Sequence, residues 1–265
     1  MTEFTAITTE THAKKGWKNV PDYAFSAADN FIPLMGAELS KAIPSMPTGF
    51  IKQEAGYMLV GITSLQAGMN VYVAPDGKWL GTYIPAVLRA YPFRLAQQQV
   101  TDMDASQTES ILCINEASGL VVESPEDGNA FYDDQNQPTQ GIKDILNLLS
   151  DIENKLVVTQ RAVNALEDAG IIIPWELHLQ DGEEVVQVTS LFRVDEEALN
   201  KLNDDDFLAL RKAQGLAIAH AQLLSMNQMT ELGRLGQSQG QTANSEDTNL
   251  TGFNLSEENG LLTFD

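Results

Sequence analysis

Residues 142–170, IKDILNLLSDIENKLVVTQRAVNALEDAG, decide the fold class. Ile142, Ile145, Leu149, Ile152, Leu156, Val163 and Leu166 recur at steps of 3, 4, 3, 4, 7 and 3. That spacing places them on one stripe of an α-helix. Gly170 stands where a helix C-terminus favours a left-handed residue. A helix this long needs a sheet or a second helix to cover its apolar stripe. The preceding stretch, Ser124–Gln140, carries SPEDG and NQP and reads as loop.

Downstream, residues 171–194 read as a β-hairpin. Asp181-Gly182 suits a two-residue type I′ turn. That turn pairs Gln180 with Glu183, setting Trp175 opposite Val188 and Leu177 opposite Val186. Trp175, Leu177, Leu179, Val186 and Val188 then share one face, and His178 and Glu176 lie on the polar one. Asp195 can cap a helix over Glu196–Leu202. Asp204 or a neighbouring acid can start another from about 205 to 232, whose apolar residues on several sides predict substantial burial. From 236 to 265 the composition turns to Gln, Ser, Asn, Thr, Gly and acids, with no base after Arg234. This segment reads as a disordered acidic tail.

Upstream the elements are short and β-prone. Residues 1–30 are polar and read as partly ordered. A short helix is expected over about 35–43, ending before Pro44. Phe50–Gln53 and Tyr57–Thr63 read as strands joined by Glu54-Ala55-Gly56. A hairpin over 71–83 turns at Ala74-Pro75-Asp76-Gly77. In GKWLGTYIPAVLRAYPFRL (77–95), Pro85 suits a helix start, Pro92 stops the helix, and Phe93-Arg94-Leu95 returns as strand. Gln97–Ser110 reads as a polar loop; Ile111–Asn115 and Leu120–Glu123 read as strands. The expected fold is therefore α+β, with a β-rich part (31–123) of mostly antiparallel strands and a helix-rich part (124–235) holding one hairpin.

Trp79, Tyr83, Arg89, Tyr91 and Arg94 are the candidate binding residues. Arginine and aromatic side chains together can hold a carboxylate, a phosphate or a peptide backbone. The competing reading is that the aromatics pack a small core and the arginines pair with acids.

The chain has 265 residues, 37 acids and 16 bases, for a net charge of −21. That charge argues against nucleic acid and against an anionic membrane surface as partners. Cys113, the one cysteine, sits in ILCIN and reads as a buried, inert thiol. The N-terminus lacks an apolar signal-peptide core, and no run is long and apolar enough to span a membrane. The expected location is the cytoplasm, the alternative being the cell surface by export without an N-terminal signal. His12 lies in the polar N-terminus. His220, within GLAIAHAQLL, reads as a hydrogen-bonded core or helix–helix histidine. No zinc, phosphate-cradle or nucleophile-elbow spacing occurs, so no cofactor, metal or catalytic residue is expected. The acid runs at 195–197 and 204–206 read as helix starts favoured by the macrodipole.

From about Phe31 to Leu235 the chain resembles the SapC family of bacterial proteins. FIPLMGAELSKAIPSMPTGF, YMLVGITSLQAGMNVYV, YIPAVLRAYPF, LCINEASGLVVE, AFYDDQNQPT and the run from VTSLFRVDEEALNKL to MTEL carry that resemblance in order. It implies a link to bacterial surface layers, or an accessory role in a nutrient or metabolite pathway. It carries over no catalytic residue. The function expected is a non-catalytic binding or accessory protein for a protein or small-molecule partner. The alternative is a structural surface-layer protein capable of self-assembly.

Overall fold

The computed structural model describes residues 4–102, 105–181 and 184–243. In chain order the elements are β1 (Phe4–Ala6), α1 (Thr9–His12), β2 (Gly16–Trp17), β3 (Phe31–Pro33), α2 (Leu39–Ala42), β4 (Thr48–Gln53), β5 (Gly56–Ile62), α3 (Ala86–Arg89), β6 (Phe93–Asp102) and β7 (Ala105–Asn115). There follow β8 (Val121–Val122), β9 (Asn129–Ala130), α4 (Gln140–Asp168), β10 (Ile172–Pro174), β11 (Leu177–Asp181), β12 (Glu184–Val188), β13 (Leu191–Val194), α5 (Glu196–Asn200), α6 (Asp204–Lys212), α7 (Gly215–Ser225) and α8 (Met229–Ala243). Every strand pair among the described residues is antiparallel, and the fold is α+β as expected.

The chain forms two compact units. One takes the chain up to Pro21 together with Val87–Asn154; the other takes Asp22–Ala86 and the chain from Lys155 on. The first unit holds a sheet of order β1-β7-β6 and a small sheet β8-β2-β9. The expected polar loop at 97–110 is instead strand over its described residues, up to Asp102 and from Ala105. β6 and β7 pair from Phe93↔Ile114 out to Asp102↔Ala105. Backbone ladder bonds hold this extension, so the polar sequence there carries no apolar alternation to announce it.

The second unit is organised by a five-stranded sheet of order β10-β13-β4-β5-β3. Phe50 pairs with Leu59 and with Phe192, and all three belong to a core with Ala162, Val163 and Leu166 of α4 and Ile218 and Ala219 of α7. Ile51 pairs with Leu191, and Phe31 with Ile62, on the opposite face. They pack with Trp175 and with Met229, Leu232 and Leu235 of α8. The period of two along each strand thus feeds two separate apolar layers.

The long helix runs as the spacing predicts. Its end is a Schellman closure: Gly170 adopts φ +68°, its N–H donates to the Glu167 carbonyl at 2.9 Å, and the Ile171 N–H donates to the Leu166 carbonyl at 3.3 Å. Leu166 and Ile171 meet in the same core, as that motif favours. Asp195 caps α5 through the Ala198 N–H at 3.0 Å. The cap of α6 is Asn203, just before the acids.

Three other expectations are corrected. The second hairpin pairs Leu177 with Val188 and Asp181 with Glu184, two residues off the expected register, and Gly182 of the expected turn lies outside the described residues. That slip is an even number, so Leu177 and Val188 still share a face. Trp175 lies before β11, its N–H donating to the Leu191 carbonyl at 2.9 Å. The single helix expected over 205–232 is broken. Gln214 takes a left-handed conformation (φ +64°), and a Cβ on Gly215 would lie 3.1 Å from Leu210 and 3.3 Å from the Ala162 carbonyl. α7 therefore approaches α4 closely, while α6 leaves Phe207 and Leu208 exposed. Lastly, α8 continues to Ala243, past the compositional change at Gly236, and Gln239 donates to the Val71 and Val73 carbonyls at 2.9 Å each.

Gln222 of α7 is fully buried and ties two strands. Its Oε1 accepts from the Val194 N–H at 3.0 Å, and its Nε2 donates to the Thr48 carbonyl at 3.2 Å. Gln222→Met keeps the volume and leaves both backbone groups unpaired. The expected loss is about 2–4 kcal/mol, measured by urea unfolding with an unchanged m-value.

Candidate functional site

The segment 71–86 folds around an aromatic stack rather than as a full hairpin. Only one antiparallel bridge, Val73↔Trp79, forms there among the described residues. Gly77 holds the turn at φ +83°, its N–H donating to the Ala74 carbonyl at 2.8 Å. Trp79 stacks on Tyr72 with centroids 5.5 Å apart and planes 20° apart, and meets Tyr23 edge-on at 5.8 Å. Its indole N–H donates to the Tyr83 carbonyl at 2.8 Å. A Cβ on Gly81 would come within 2.8 Å of that indole nitrogen and 3.0 Å of the Ser45 hydroxyl. Only glycine fits between them. The Tyr72 hydroxyl donates to the Ser45 carbonyl at 3.0 Å, and burial, with Glu231 nearby, raises its pKa.

Bonded to Tyr83 is Glu38, a carboxylate only 5% exposed. It accepts from the Met35 N–H at 2.8 Å, the Tyr83 hydroxyl at 2.6 Å and the Ala86 N–H at 2.9 Å. Charge-assisted bonds of this kind stabilise a buried anion that would otherwise be costly. The sequence reading did not single out Glu38. One acid inside GAEL announces little on its own: its Met35 donor is three residues away, but the Tyr83 and Ala86 donors come from 45 and 48 positions away.

Of the five candidate binding residues, Trp79 and Tyr83 contact each other in the second unit. Arg89, Tyr91 and Arg94 belong to the first. Arg89 is exposed in the last turn of α3. Tyr91 precedes a cis peptide to Pro92, and its hydroxyl accepts from the Asn115 amide at 3.2 Å. The exposed Arg94 guanidinium sits 3.9 Å over the Phe4 ring, a cation–π contact. Cys113 is buried, and burial raises its thiol pKa against the opposing field of Arg94.

Two of the three histidines fall differently from their sequence surroundings. His178 is exposed on the polar face of β11, as its alternation implies. His220 is exposed on α7, not in a core. His12, from the polar N-terminus, is the buried one, with 0% of its surface accessible. Among the described residues no group of three His, Cys, Asp or Glu side chains could hold a metal ion, and no helix is long and apolar enough to cross a membrane.

Removing the Glu38 carboxylate leaves two buried N–H groups and a phenol without their acceptor. Glu38→Ala is expected to cost about 3–5 kcal/mol, and Tyr83→Phe only about 1 kcal/mol, in chemical denaturation. Equal effects would show that the Tyr83 hydroxyl alone carries the network.

No curated protein and no solved structure is detectably similar to this chain. The SapC family model matches residues 7–232, which carries the likeness upstream of Phe31 and through β2, β6 and β7. With that match over most of its length, the chain belongs to the SapC family.

Proposed function

We propose that this protein is a non-catalytic binding or accessory protein that engages a protein partner through the loop carrying Trp79. The observation that carries this reading is Leu80. Its side chain is 45% exposed, yet its backbone is fixed. The Leu80 N–H donates to the Tyr72 carbonyl at 2.7 Å, and the Ala74 N–H to the Lys78 carbonyl at 2.8 Å. The Tyr23 N–H donates to the Gly77 carbonyl at 2.7 Å. Trp79, next to Leu80 in the loop, is held by its stack on Tyr72.

A presented apolar side chain on a pre-ordered loop loses little conformational freedom on binding. Burying one Leu against a partner contributes about 1.5–3 kcal/mol, or roughly one to two orders of magnitude in affinity. Half-buried Tyr83 and Trp79 add aromatic surface next to it, of the kind enriched at protein interfaces.

Leu80→Asp changes an exposed position, so the thermal midpoint is expected to stay within about 1–2 °C of the parent. Quantitative crosslinking from extracts of the source cells is expected to show one partner retained by the parent chain and lost from Leu80→Asp. Concentration-dependent self-association that disappears in the same variant would instead support the surface-layer reading. Equal recovery of all partners by both proteins would overturn the assignment of this loop.

A further inference from the structure

The segment around α1 contains an aligned chain of polar groups that ends at an exposed hydroxyl. Two connections face each other in the first unit. One joins β1 to β2 and carries Thr8, Thr11 and His12; the other joins β7 to β8 and carries Glu116. Because β1 pairs with β7 and β2 with β8, the strands on both sides bring these connections together.

Thr11 Oγ1 lies 2.6 Å from His12 Nδ1. On the other side of the ring, Nε2 lies 3.2 Å from Glu116 Oε1, at ion-pair distance but off the line of a hydrogen bond. Thr8 Oγ1 lies 2.9 Å from Thr11 Oγ1. The imidazole is inaccessible and packs edge-on against the fully buried Phe131 ring at 5.0 Å. Thr11 is exposed, and the Glu116 side chain is 38% exposed.

The charges select one direction for this chain. With the proton on Nδ1, the Nε2 lone pair would lie beside a carboxylate 3.2 Å away, which is repulsive. With the proton on Nε2, the positive end of the N–H lies near the Glu116 carboxylate, and the Nδ1 lone pair accepts from the Thr11 hydroxyl. Thr8 can then donate to Thr11. A buried neutral imidazole accepting from an exposed alcohol and backed by a carboxylate has the constellation of a base-activated nucleophile, recognised by geometry and not by chain order.

We propose that Thr11 is an activated hydroxyl that accepts an acyl group from an activated ester, with His12 as general base and Glu116 as the positioning residue. In this step Thr11 Oγ1 bonds to the acyl carbon and its proton passes to His12 Nδ1. The ester's leaving oxygen departs with its bonding pair and takes up a proton from the imidazolium or from water. A neutral acyl donor suits a hydroxyl whose base is backed by the Glu116 carboxylate. Burial lowers the His12 pKa below 6.5, Lys15 lowers it further and Glu116 opposes both, so the base is free at neutral pH. One acylation per chain is a modification rather than turnover, and it goes beyond the binding role without depending on it.

The test uses the full chain and 4-nitrophenyl acetate. The expected result is release of about one equivalent of 4-nitrophenolate and an acetyl group mapped to Thr11 by peptide mass spectrometry. Its rate should rise with pH to a plateau reached by about pH 7. Thr11→Ser is expected to retain the reaction and Thr11→Val to abolish it. His12→Gln should slow it about 100-fold or more. Glu116 is at the surface, so Glu116→Gln tests the relay even if His12→Gln fails to fold. It should slow acylation and move the pH midpoint down, because the group that raises the His12 pKa is gone, and Glu116→Asp should restore part of the rate. Acetyl found on lysines and not on Thr11, or a rate and pH profile unchanged in Glu116→Gln, would overturn the proposal.

Discussion

A single buried carboxylate organises the candidate binding loop. Glu38 accepts three hydrogen bonds from groups that would otherwise lie unpaired, and two of the donors follow the Trp79 loop in the chain. Those bonds tie the start of α3 and the Tyr83 phenol to the short helical segment at 36–42. Ser45, just beyond that segment, completes the tie. Its hydroxyl accepts from the Tyr83 N–H at 3.2 Å, and its carbonyl accepts from the Tyr72 hydroxyl. The aromatic stack of Tyr72, Trp79 and Tyr23 can then be rigid without belonging to any sheet. Aromatic pairs of this kind contribute about 0.5–1.5 kcal/mol beyond the area they bury.

The second unit uses the same device between its layers. Gln222 reaches from α7 to β4 and β13, and the Ser225 hydroxyl, one turn on, accepts from the Thr48 N–H at 2.9 Å. Both side chains are fully buried. Polar pairs at the centre of an apolar interface specify one seating of helix on sheet, since any sliding would strand them. The Thr159 hydroxyl of α4 accepts from the Gly36 N–H at 2.8 Å in the same manner.

Much of the scaffold is legible along the chain. The long helix, its glycine end, the Asp195 cap and the β4–β5 hairpin each rest on neighbours within a few residues, where periodicity and turn chemistry act directly. The polar ladder of β6 and β7 was not legible, because its partner strand and not its hydropathy makes it a strand. The break at Gln214 is marked in the sequence only by the single Gly215 inside a run of helix-forming residues. Only the close approach of Gly215 to α4 reveals why the chain turns there. Of the candidate site, aromatic content pointed to Trp79 and Tyr83, but the long-range donors to Glu38 carried no signal in one dimension.

The sequence by itself determined the α+β class, the family, the principal helix and the alternation that gives each strand its two faces. These are local properties, set by backbone sterics and by side-chain period. Tertiary structure alone decided which strands share a sheet and which polar groups lie inside. It buried His12, a residue of the polar N-terminus, and exposed His220, a residue in an apolar run. The reason is that burial depends on what packs against a side chain. Phe131 and Glu116, which surround His12, stand more than one hundred residues away in the chain.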